Sequence, residues 1–378
     1  MRLRRFIFLI ISLTLACGSI HAQASGSHDH ALGVNLRPSY VMPTHGYYNG
    51  WNELNKPIRT GSTFDIQYGF ANKVEPTFQG IGLGVHTFFS NELVGTPWTF
   101  YLFQNVPLVN LSDRMTFGYE WNLGISSGWK VNNVAVSSSS NVFINVAALF
   151  TWHANKHWDI VFGSEYTHFS NGDTTFPNGG ANTINFRIGT RRHFSPIDKL
   201  SSLNIFTFKN KDKQFFQRIY YDISLLGGWR ADRSLINGKL HIFNERFLLC
   251  GIQINPLYNF NNYLSAGPSL DLVYDRSADL IIDASGNHSN PGVLSQTAAG
   301  LSLRGEIKTP IFAVNIGVGY NFTLKSSDLK GLYTTFALKA FLNEKVFLTT
   351  AYRLSSVNYA HNLMFGLGFR INTQSSYK

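Results

Sequence analysis

The chain has 378 residues and a formal net charge of +10, with 15% aromatic residues, 14% charged residues and 33 glycines. It contains two cysteines, and because Cys17 falls in a predicted signal peptide, only Cys250 is expected in the mature chain, which excludes a framework of internal disulfides. Beyond the N-terminal region no apolar run reaches the roughly 18 residues that a membrane-spanning helix needs. A secreted chain of this composition is not expected to bind nucleic acid.

The N-terminal residues predict export. "MRLRR" is a positively charged start, "FIFLIISLTLA" is a short apolar run, and Ala22-Gln23-Ala24 matches a cleavage signal. We therefore expect a signal peptide over residues 1–24. Its removal leaves a moderately basic mature chain, which suits an anionic membrane surface, although ordinary solvated loops are the better interpretation of any single Lys or Arg.

From residue 30 onward, short runs alternate apolar and polar residues between turns rich in Gly, Asn, Asp, Ser and Pro, which predicts β-strands. The first eight predicted strands cover 30–42, 61–71, 78–90, 97–108, 114–129, 141–154, 157–169 and 183–194. Eight more cover 215–229, 244–258, 263–276, 298–308, 310–323, 331–342, 345–356 and 360–372. Such a series, rich in aromatic residues, is typical of an all-β transmembrane antiparallel β-barrel in the bacterial outer membrane.

The strands form two groups that resemble each other. "KHWDIVFGSEYTHFS" in the first group is similar to "EKVFLTTAYRLSS" in the second, which indicates duplication of an eight-stranded unit. We predict two tandem eight-stranded barrels, over residues 25–195 and 214–378, joined by a periplasmic linker over 196–213; one sixteen-stranded barrel is the alternative. Longer connections follow the odd-numbered strands, so the seventh strand is expected to end at the cell surface and both termini to lie in the periplasm.

The seventh predicted strand ends in "EYTHFSNG", Glu165 to Gly172, and is followed by "TTFPNGGAN", Thr174 to Asn182. Because side chains alternate along a strand, one face carries the apolar and aromatic residues and must face lipid. That face holds Trp158, Ile160, Phe162, Tyr166, His168 and Ser170, whereas Asp159, Gly163, Glu165 and Thr167 face the barrel interior. On the eighth strand the same parity directs Asn182 outward, beside His168 and Ser170.

A serine two residues from a histidine on one strand face can act as a nucleophile with its general base. His168 would take the proton of Ser170, and Asn171 with the loop beginning at Gly172 would stabilise the oxyanion. At a lipid-facing rim the natural substrate is an acyl ester in the outer leaflet. A rim histidine that caps a polar loop is the alternative, because this spacing is common by chance.

The segment over about residues 30–195 resembles the lipid A 3-O-deacylase (PagL) family of outer-membrane esterases. The resemblance lies in "HFSNG", from His168 to Gly172, and in "PNGGAN", which begins at Pro177. It implies Ser170 as nucleophile, His168 as general base and Asn171 as oxyanion donor, with no cofactor and no metal.

The resemblance also implies an acidic residue, usually Glu, at the position of Asn182. An Asn carbonyl can still accept an imidazole N–H, as in Cys-His-Asn enzymes, but it cannot stabilise the imidazolium by charge. Asp173 in the adjacent loop is a substitute candidate, and Glu165 on the interior face is a poorer one.

The second unit is predicted to be catalytically degenerate. Aligning Tyr352 with Tyr166 places Leu354 at the histidine position, Ser356 at the serine position and Val357 at the asparagine position. Without a base or an oxyanion donor, Ser356 is expected to be an ordinary rim serine.

The sequence therefore predicts an outer-membrane lipid A deacylase, a serine esterase acting on an ester-linked acyl chain, the 3-O chain by resemblance. Its expected partner is lipid A of lipopolysaccharide, and its oligomeric state is not predicted. Two other hypotheses stay open: a non-enzymatic barrel (porin, adhesin or structural protein) with a decayed site, and an outer-membrane phospholipase.

Overall fold

The computed structural model describes residues 29–71, 77–132, 135–172, 174–196, 218–236, 239–243, 245–283, 287–309, 311–323, 325–355 and 362–372. The predicted signal peptide, the predicted linker from residue 197 onward, Asp173, Ser356 and Val357 lie outside the described residues. Within the described ranges, no helix combines the length and the hydropathy that a membrane crossing requires.

The first barrel is a closed antiparallel sheet of eight strands in sequence order. These are β1 Asp29–Val41, β2 Thr60–Ala71, β3 Phe78–Thr87, β4 Gly95–Ser112, β5 Met115–Trp129, β6 Ser140–His153, β7 Trp158–Ser170 and β8 Ala181–His193. β1 pairs with both β2 and β8, which closes the sheet and leaves no edge strand. A short helix, Asn91–Val94, precedes β4.

The second half of the described chain contains twelve strands. They are β9 Ile219–Arg230, β10 Arg233–Ile236, β11 Lys239–Ile242, β12 Phe247–Asn259, β13 Leu264–Asp275, β14 Ile281–Ile282, β15 His288–Ser289, β16 Thr297–Lys308, β17 Phe312–Phe322, β18 Gly331–Phe341, β19 Val346–Ser355 and β20 Asn362–Asn372. Eight of them close a second barrel in which β9 pairs with β12 and β20. β10 with β11, and β14 with β15, form two small hairpins in the connections.

The predicted fold class, two tandem eight-stranded barrels, is confirmed. The alternative of one sixteen-stranded barrel is wrong, because each group closes on itself through the β1–β8 and β9–β20 pairings. Every predicted barrel strand is present, with ends displaced by a few residues. The two small hairpins were missed because their strands are too short to give a period-2 pattern.

The two faces of each sheet differ in composition, as a barrel in lipid requires. Exposed apolar side chains cover the outer wall of the first barrel, among them Leu36, Phe64, Leu83, Val146, Ile184, Phe186 and Ile188. The same holds for the second barrel, with Leu225, Leu248, Leu301, Leu303, Ile316, Val318 and Leu332. The interior positions between them are buried, and they carry polar and charged side chains together with aromatic ones such as Phe103 and Phe143.

Ion pairs fill the interior of the first barrel. Arg37 lies 2.6 Å from Asp65 and 3.1 Å from Glu165, and Arg187 lies 2.8 Å from Glu120 and also pairs with Glu165. All of these side chains are almost completely buried. Each charge is therefore compensated by a partner of opposite sign, which is what a charge removed from water requires.

The second barrel has an equivalent network built from other strands. Asp222 lies 2.7 Å from both Lys339 and Arg370, and Glu306 pairs with the same two cations. Arg304 donates two hydrogen bonds to the carboxylate of Asp271, at 2.9 and 2.8 Å. Side chains that span the interior in this way fill it, as expected for a barrel of eight strands.

Replacing the buried guanidinium at the centre of the first network should destabilise the barrel. Arg187→Met leaves the Glu120 and Glu165 carboxylates without that partner, so we expect a loss of about 3–5 kcal/mol in the free energy of unfolding. The urea midpoint of the protein in lipid vesicles measures it. Arg192→Met, at an exposed position on the same strand, is the matched control and should change the midpoint little. Equal midpoints for the two variants would contradict the importance of the network.

The filled interiors also predict electrical behaviour. We expect the protein to give no stable single-channel conductance in planar lipid bilayers, because the ion pairs of both barrels occupy the path that ions would take. Stepwise, reproducible conductance in the wild-type protein would contradict this expectation and support the porin hypothesis.

Candidate active site

A compact loop, residues 42–59, packs at one end of the first barrel. Its residues Tyr47, Tyr48 and Ile58 are buried in the same apolar cluster as Leu93 and Trp129. The Tyr47 hydroxyl donates a 2.9 Å hydrogen bond to the Leu93 carbonyl. Burial, together with the nearby Glu53 carboxylate, raises the pKa of Tyr47 to about 12, so this hydroxyl keeps its proton and remains a donor.

The end of β7 reaches this same rim of the barrel. Tyr166 is 46% exposed on the outer wall, whereas Glu165 and Thr167 are buried inside, so the alternation agrees with the predicted faces. His168 is half-buried on the outer face, and Ser170 shares its parity but is only 7% exposed. Gly172 and Gly180 lie close to Ser170.

His168 lies between Ser170 and Asn182. Its Nε2 atom is 2.9 Å from Ser170 Oγ, and its Nδ1 atom is 2.7 Å from Asn182 Oδ1. The register of β7 with β8 produces this arrangement, because His168 and Asn182 are directly opposite each other across the ladder. An amide oxygen only accepts hydrogen bonds, so Nδ1 carries the proton and Nε2 is left to accept from the serine hydroxyl.

Asn182 has two further partners that the sequence did not predict. The Tyr166 hydroxyl donates to Asn182 Oδ1 at 2.7 Å, and Asn182 Nδ2 donates to Thr44 Oγ1 at 2.8 Å. Because Tyr166 lies two residues before His168 on the same strand face, strand alternation alone could have predicted its position near Asn182. Thr44 lies in the loop over 42–59, where no periodicity indicates a neighbour.

Asn171 holds the loop after β7 in place. Its Nδ2 atom donates to Ser137 Oγ at 3.0 Å and to the carbonyl and hydroxyl oxygens of Thr175 at 2.9 and 3.0 Å. Its backbone N–H donates to Asn178 Oδ1 at 3.2 Å. The donor that faces the serine is instead the backbone N–H of Gly172, 3.4 Å from Ser170 Oγ. Ser137 and Thr175 were missed because both lie in loops.

Gly180 closes the loop against the site. Its φ is +56°, in the left-handed region that favours glycine. A Cβ at this position would lie 2.9 Å from the Phe169 carbonyl oxygen and 3.5 Å from Cε1 of His168. The absence of a side chain therefore lets the loop approach the histidine.

Glu165 and Asp173 are the two acidic residues considered as partners of His168. Glu165 lies inside the barrel, paired with Arg37 and Arg187, so it does not reach His168. Asp173 lies outside the described residues. Among the residues that the structure describes, no group of three or more His, Cys, Asp or Glu side chains is arranged to hold a metal ion.

The corresponding rim of the second barrel carries different residues. Tyr352 and Leu354 are half-buried in β19, at the parity that faces outward, while Arg353 between them is buried inside. Ser356 and Val357 lie beyond the described part of β19. That the second barrel is catalytically degenerate, with Leu354 at the position of the histidine, stays a prediction from the sequence.

The rim of the first barrel thus brings together a serine hydroxyl, an imidazole within hydrogen-bond distance of it, an amide oxygen on the other side of the imidazole, and a backbone N–H. This is the arrangement of groups that acyl transfer through a serine requires. The comparison with protein families found its match in the second barrel. Residues 219–373 match the family model described as "Acyloxyacyl hydrolase, C-terminal domain" (PagL_C).

This match supports a relationship of the chain to the PagL family. It covers the second barrel, whereas the motif that first indicated this family, His168 to Gly172, lies in the first barrel. No curated protein matches the sequence.

Solved structures of membrane barrels are similar to the chain at low identity. An outer membrane channel from Pseudomonas putida F1 is 10% identical, with 91% of this chain and 95% of that chain covered and a TM-score of 0.20. The beta domain of the Bordetella autotransporter BrkA is 9% identical, with 91% and 99% covered and a TM-score of 0.22. The NanC porin is 9% identical, with 90% and 100% covered and a TM-score of 0.17. At these TM-scores the similarities carry no weight for function.

A side chain at position 180 should disturb the serine and histidine. In Gly180→Ala the new methyl group meets the Phe169 carbonyl and strains a left-handed residue, so we expect slower labelling of Ser170 by a fluorophosphonate probe in detergent micelles. Gly292→Ala is the control, because Gly292 has φ +101° with nothing within 4 Å of an added Cβ. A labelling rate equal to that of the control variant would show that the loop position does not matter for Ser170.

Proposed function

We propose that the chain is an outer-membrane serine esterase that removes an ester-linked acyl chain from lipid A. The observation that carries this proposal is the position of His168, within hydrogen-bond distance of both Ser170 and Asn182, at the rim of a lipid-facing wall. The family match to an acyloxyacyl hydrolase domain supports hydrolysis of an acyl ester.

The first half of the reaction transfers the acyl group to the enzyme. His168 Nε2 takes the proton of Ser170 Oγ as this oxygen attacks the ester carbonyl carbon. The tetrahedral intermediate places its negative charge on the former carbonyl oxygen, and the Gly172 N–H, 3.4 Å from Ser170 Oγ, is the donor that we assign to it. The C–O bond of the ester then breaks, and the histidine returns the proton to the departing sugar hydroxyl.

The second half releases the fatty acid. Water loses a proton to His168 and attacks the acyl-serine, and collapse of the second intermediate restores the Ser170 hydroxyl. Both halves need the same N–H donor and the same base, so no cofactor enters the scheme. Asn171 contributes here by anchoring the loop through Ser137 and Thr175. The side-chain amide of Asn171 could donate to the oxyanion only after breaking its hydrogen bonds to Ser137 and Thr175.

The position of the site favours a substrate that lies in the membrane. Tyr166 and Ile184, both almost half exposed on the outer wall, flank the catalytic side chains. An acyl chain in the outer leaflet can lie along this apolar surface with its ester at the level of Ser170. The resemblance of the motif favours the 3-O chain of lipid A over other esters.

A neutral acceptor at position 182 should limit the rate. The histidine becomes positively charged in each transition state, and an amide oxygen stabilises that charge less than a carboxylate does. The oriented tautomer is retained, because Asn182 Oδ1 accepts from Nδ1. We therefore expect a functional but slow enzyme.

Mass spectrometry of lipid A tests the proposal directly. Cells that express the wild-type chain should contain lipid A lacking one acyl chain, and cells that express Ser170→Ala or His168→Ala should retain the complete set, because the nucleophile or its base is removed. The position of the missing chain identifies the ester that is cleaved.

Ser356→Ala is the matched control, since it changes the serine that aligns with Ser170 in the second unit. It should leave deacylation at the wild-type level. Complete lipid A in all strains, with each protein inserted in the membrane, would contradict the proposal. Altered phospholipids in place of lipid A would identify a phospholipase.

A further inference from the structure

A small cleft lies beside Gly180, next to the candidate site. Its volume is about 10 Å³, which is about the space that one water molecule occupies, and it is partly open to solvent. The loop over 42–59, the loop between β5 and β6 and the loop before β8 all contribute to its lining. The lining residues that matter here are Tyr48, Ala135, Ser137, Asn141, Asn178 and Gly180.

The polar part of this lining suits a water molecule, which needs about two to four polar partners. Tyr48, Ser137, Asn141 and Asn178 carry hydroxyl or amide side chains. Tyr48 is fully buried, and among the residues that the structure describes its hydroxyl has no hydrogen-bond partner. Burial raises the pKa of Tyr48, so this hydroxyl keeps its proton. A water molecule in the cleft supplies the acceptor that the buried hydroxyl lacks.

The cleft and the catalytic groups share Gly180. A Cβ placed on Gly180 would lie 3.5 Å from Cε1 of His168 and 3.7 Å from Cβ of Ser170. Asn178, another residue of the lining, accepts a 3.2 Å hydrogen bond from the backbone N–H of Asn171. A residue without a side chain therefore lies between the cleft and the two catalytic side chains.

The lipid-facing side of the site is apolar. Val142 is opposite Ser170 in the pairing of β6 with β7, and Ile144 is opposite His168 in the same pairing. Ile184 is almost half exposed on the neighbouring strand. An acyl chain bound against these side chains covers them, and the hydrocarbon of a bilayer holds no water. The water that the second half of the reaction consumes therefore needs a route from another side.

We propose that this cleft binds the water molecule that hydrolyses the acyl-serine, with Tyr48 as a water-binding residue. The inference rests on the proposed function, in which Ser170 is acylated. The water oxygen attacks the acyl carbonyl carbon, and its proton goes to His168 Nε2. The bond between that carbon and Ser170 Oγ then breaks, Oγ takes the proton from the histidine, and the fatty acid leaves.

The two halves of the reaction differ in their need for the cleft. Acylation of Ser170 consumes no water, whereas release of the fatty acid consumes one molecule. Loss of the water site should therefore slow the second half alone. The acyl-enzyme should accumulate, because it still forms at its usual rate and breaks down more slowly.

Two variants of the lining test this expectation. Tyr48→Phe removes the hydroxyl without breaking a hydrogen bond to a described residue, and Ala135→Val adds two methyl groups to the lining. With a long-chain p-nitrophenyl ester in detergent micelles, we expect Tyr48→Phe to lower the steady-state rate roughly fivefold, the size of one neutral hydrogen bond. Ala135→Val should lower it as well. Intact-protein mass spectrometry should show acylated Ser170 in both variants.

Labelling of Ser170 by a fluorophosphonate probe measures the first half separately, because this reaction needs the serine and its base but no water. We expect both variants to be labelled within about twofold of the wild-type rate, less than the loss of one hydrogen bond.

Tyr47→Phe and Ala147→Val are the matched controls. Tyr47 is buried beside Tyr48, but its hydroxyl donates to the Leu93 carbonyl. Ala147 is a buried interior residue of β6 that does not line the cleft. Both controls should keep the wild-type steady-state rate and show no accumulated acyl-enzyme.

Three results would count against the proposal. Unchanged steady-state rates in Tyr48→Phe and Ala135→Val would overturn it, since the water would then come from the headgroup region. Slower fluorophosphonate labelling in these variants would also overturn it, because the cleft would act on the serine itself. A wild-type protein that is not labelled at Ser170 would refute the serine esterase and this inference together.

Discussion

The candidate site depends on one constraint of a closed antiparallel sheet, which is that each side chain can point in only two directions. Each residue of a barrel strand points either into the filled interior or out to the lipid, and the register with the next strand then sets its neighbours. In β7 this rule separates Glu165, which is paired with interior arginines, from His168, which faces outward. A shift of one residue in the pairing would exchange the two roles and leave no base on the lipid side.

The same rule explains how much the sequence could predict. Strand positions, the closure into two barrels and the outward parity of His168 and Ser170 follow from period-2 patterns that many residues share. The positions of hydrogen-bond donors and acceptors in the loops do not follow from such a pattern. Thr44 and Ser137 reach the site through irregular backbone, and nothing in their local sequence indicates which residue they meet. For Asn171 the side chain was expected to act as oxyanion donor, and its contacts to the loop are a property of tertiary packing.

The two barrels share an architecture and differ in what they carry. The family match lies in the second barrel, while the serine, histidine and asparagine lie in the first. Both interiors are held by buried ion pairs, such as Arg187 with Glu120 in the first barrel and Lys339 with Asp222 in the second. Because such a network requires a partner for each charge, it restricts the interior positions and leaves the outer rim free to diverge. Residues at the rim can therefore change in one barrel without disturbing its closure.

The hydrogen bond from Met42 to the Asn182 carbonyl has a consequence for the order of events in folding. It extends the seam between β1 and β8, the pairing that joins the two ends of the first sheet. Thr44 comes to the Asn182 amide across this seam, so a sheet that is still open lacks this contact. The contacts of His168 with Ser170 and Asn182 lie within β7 and β8 and do not need the seam. The last hydrogen bond at the candidate site and the closure of the first barrel are therefore completed by the same pairing.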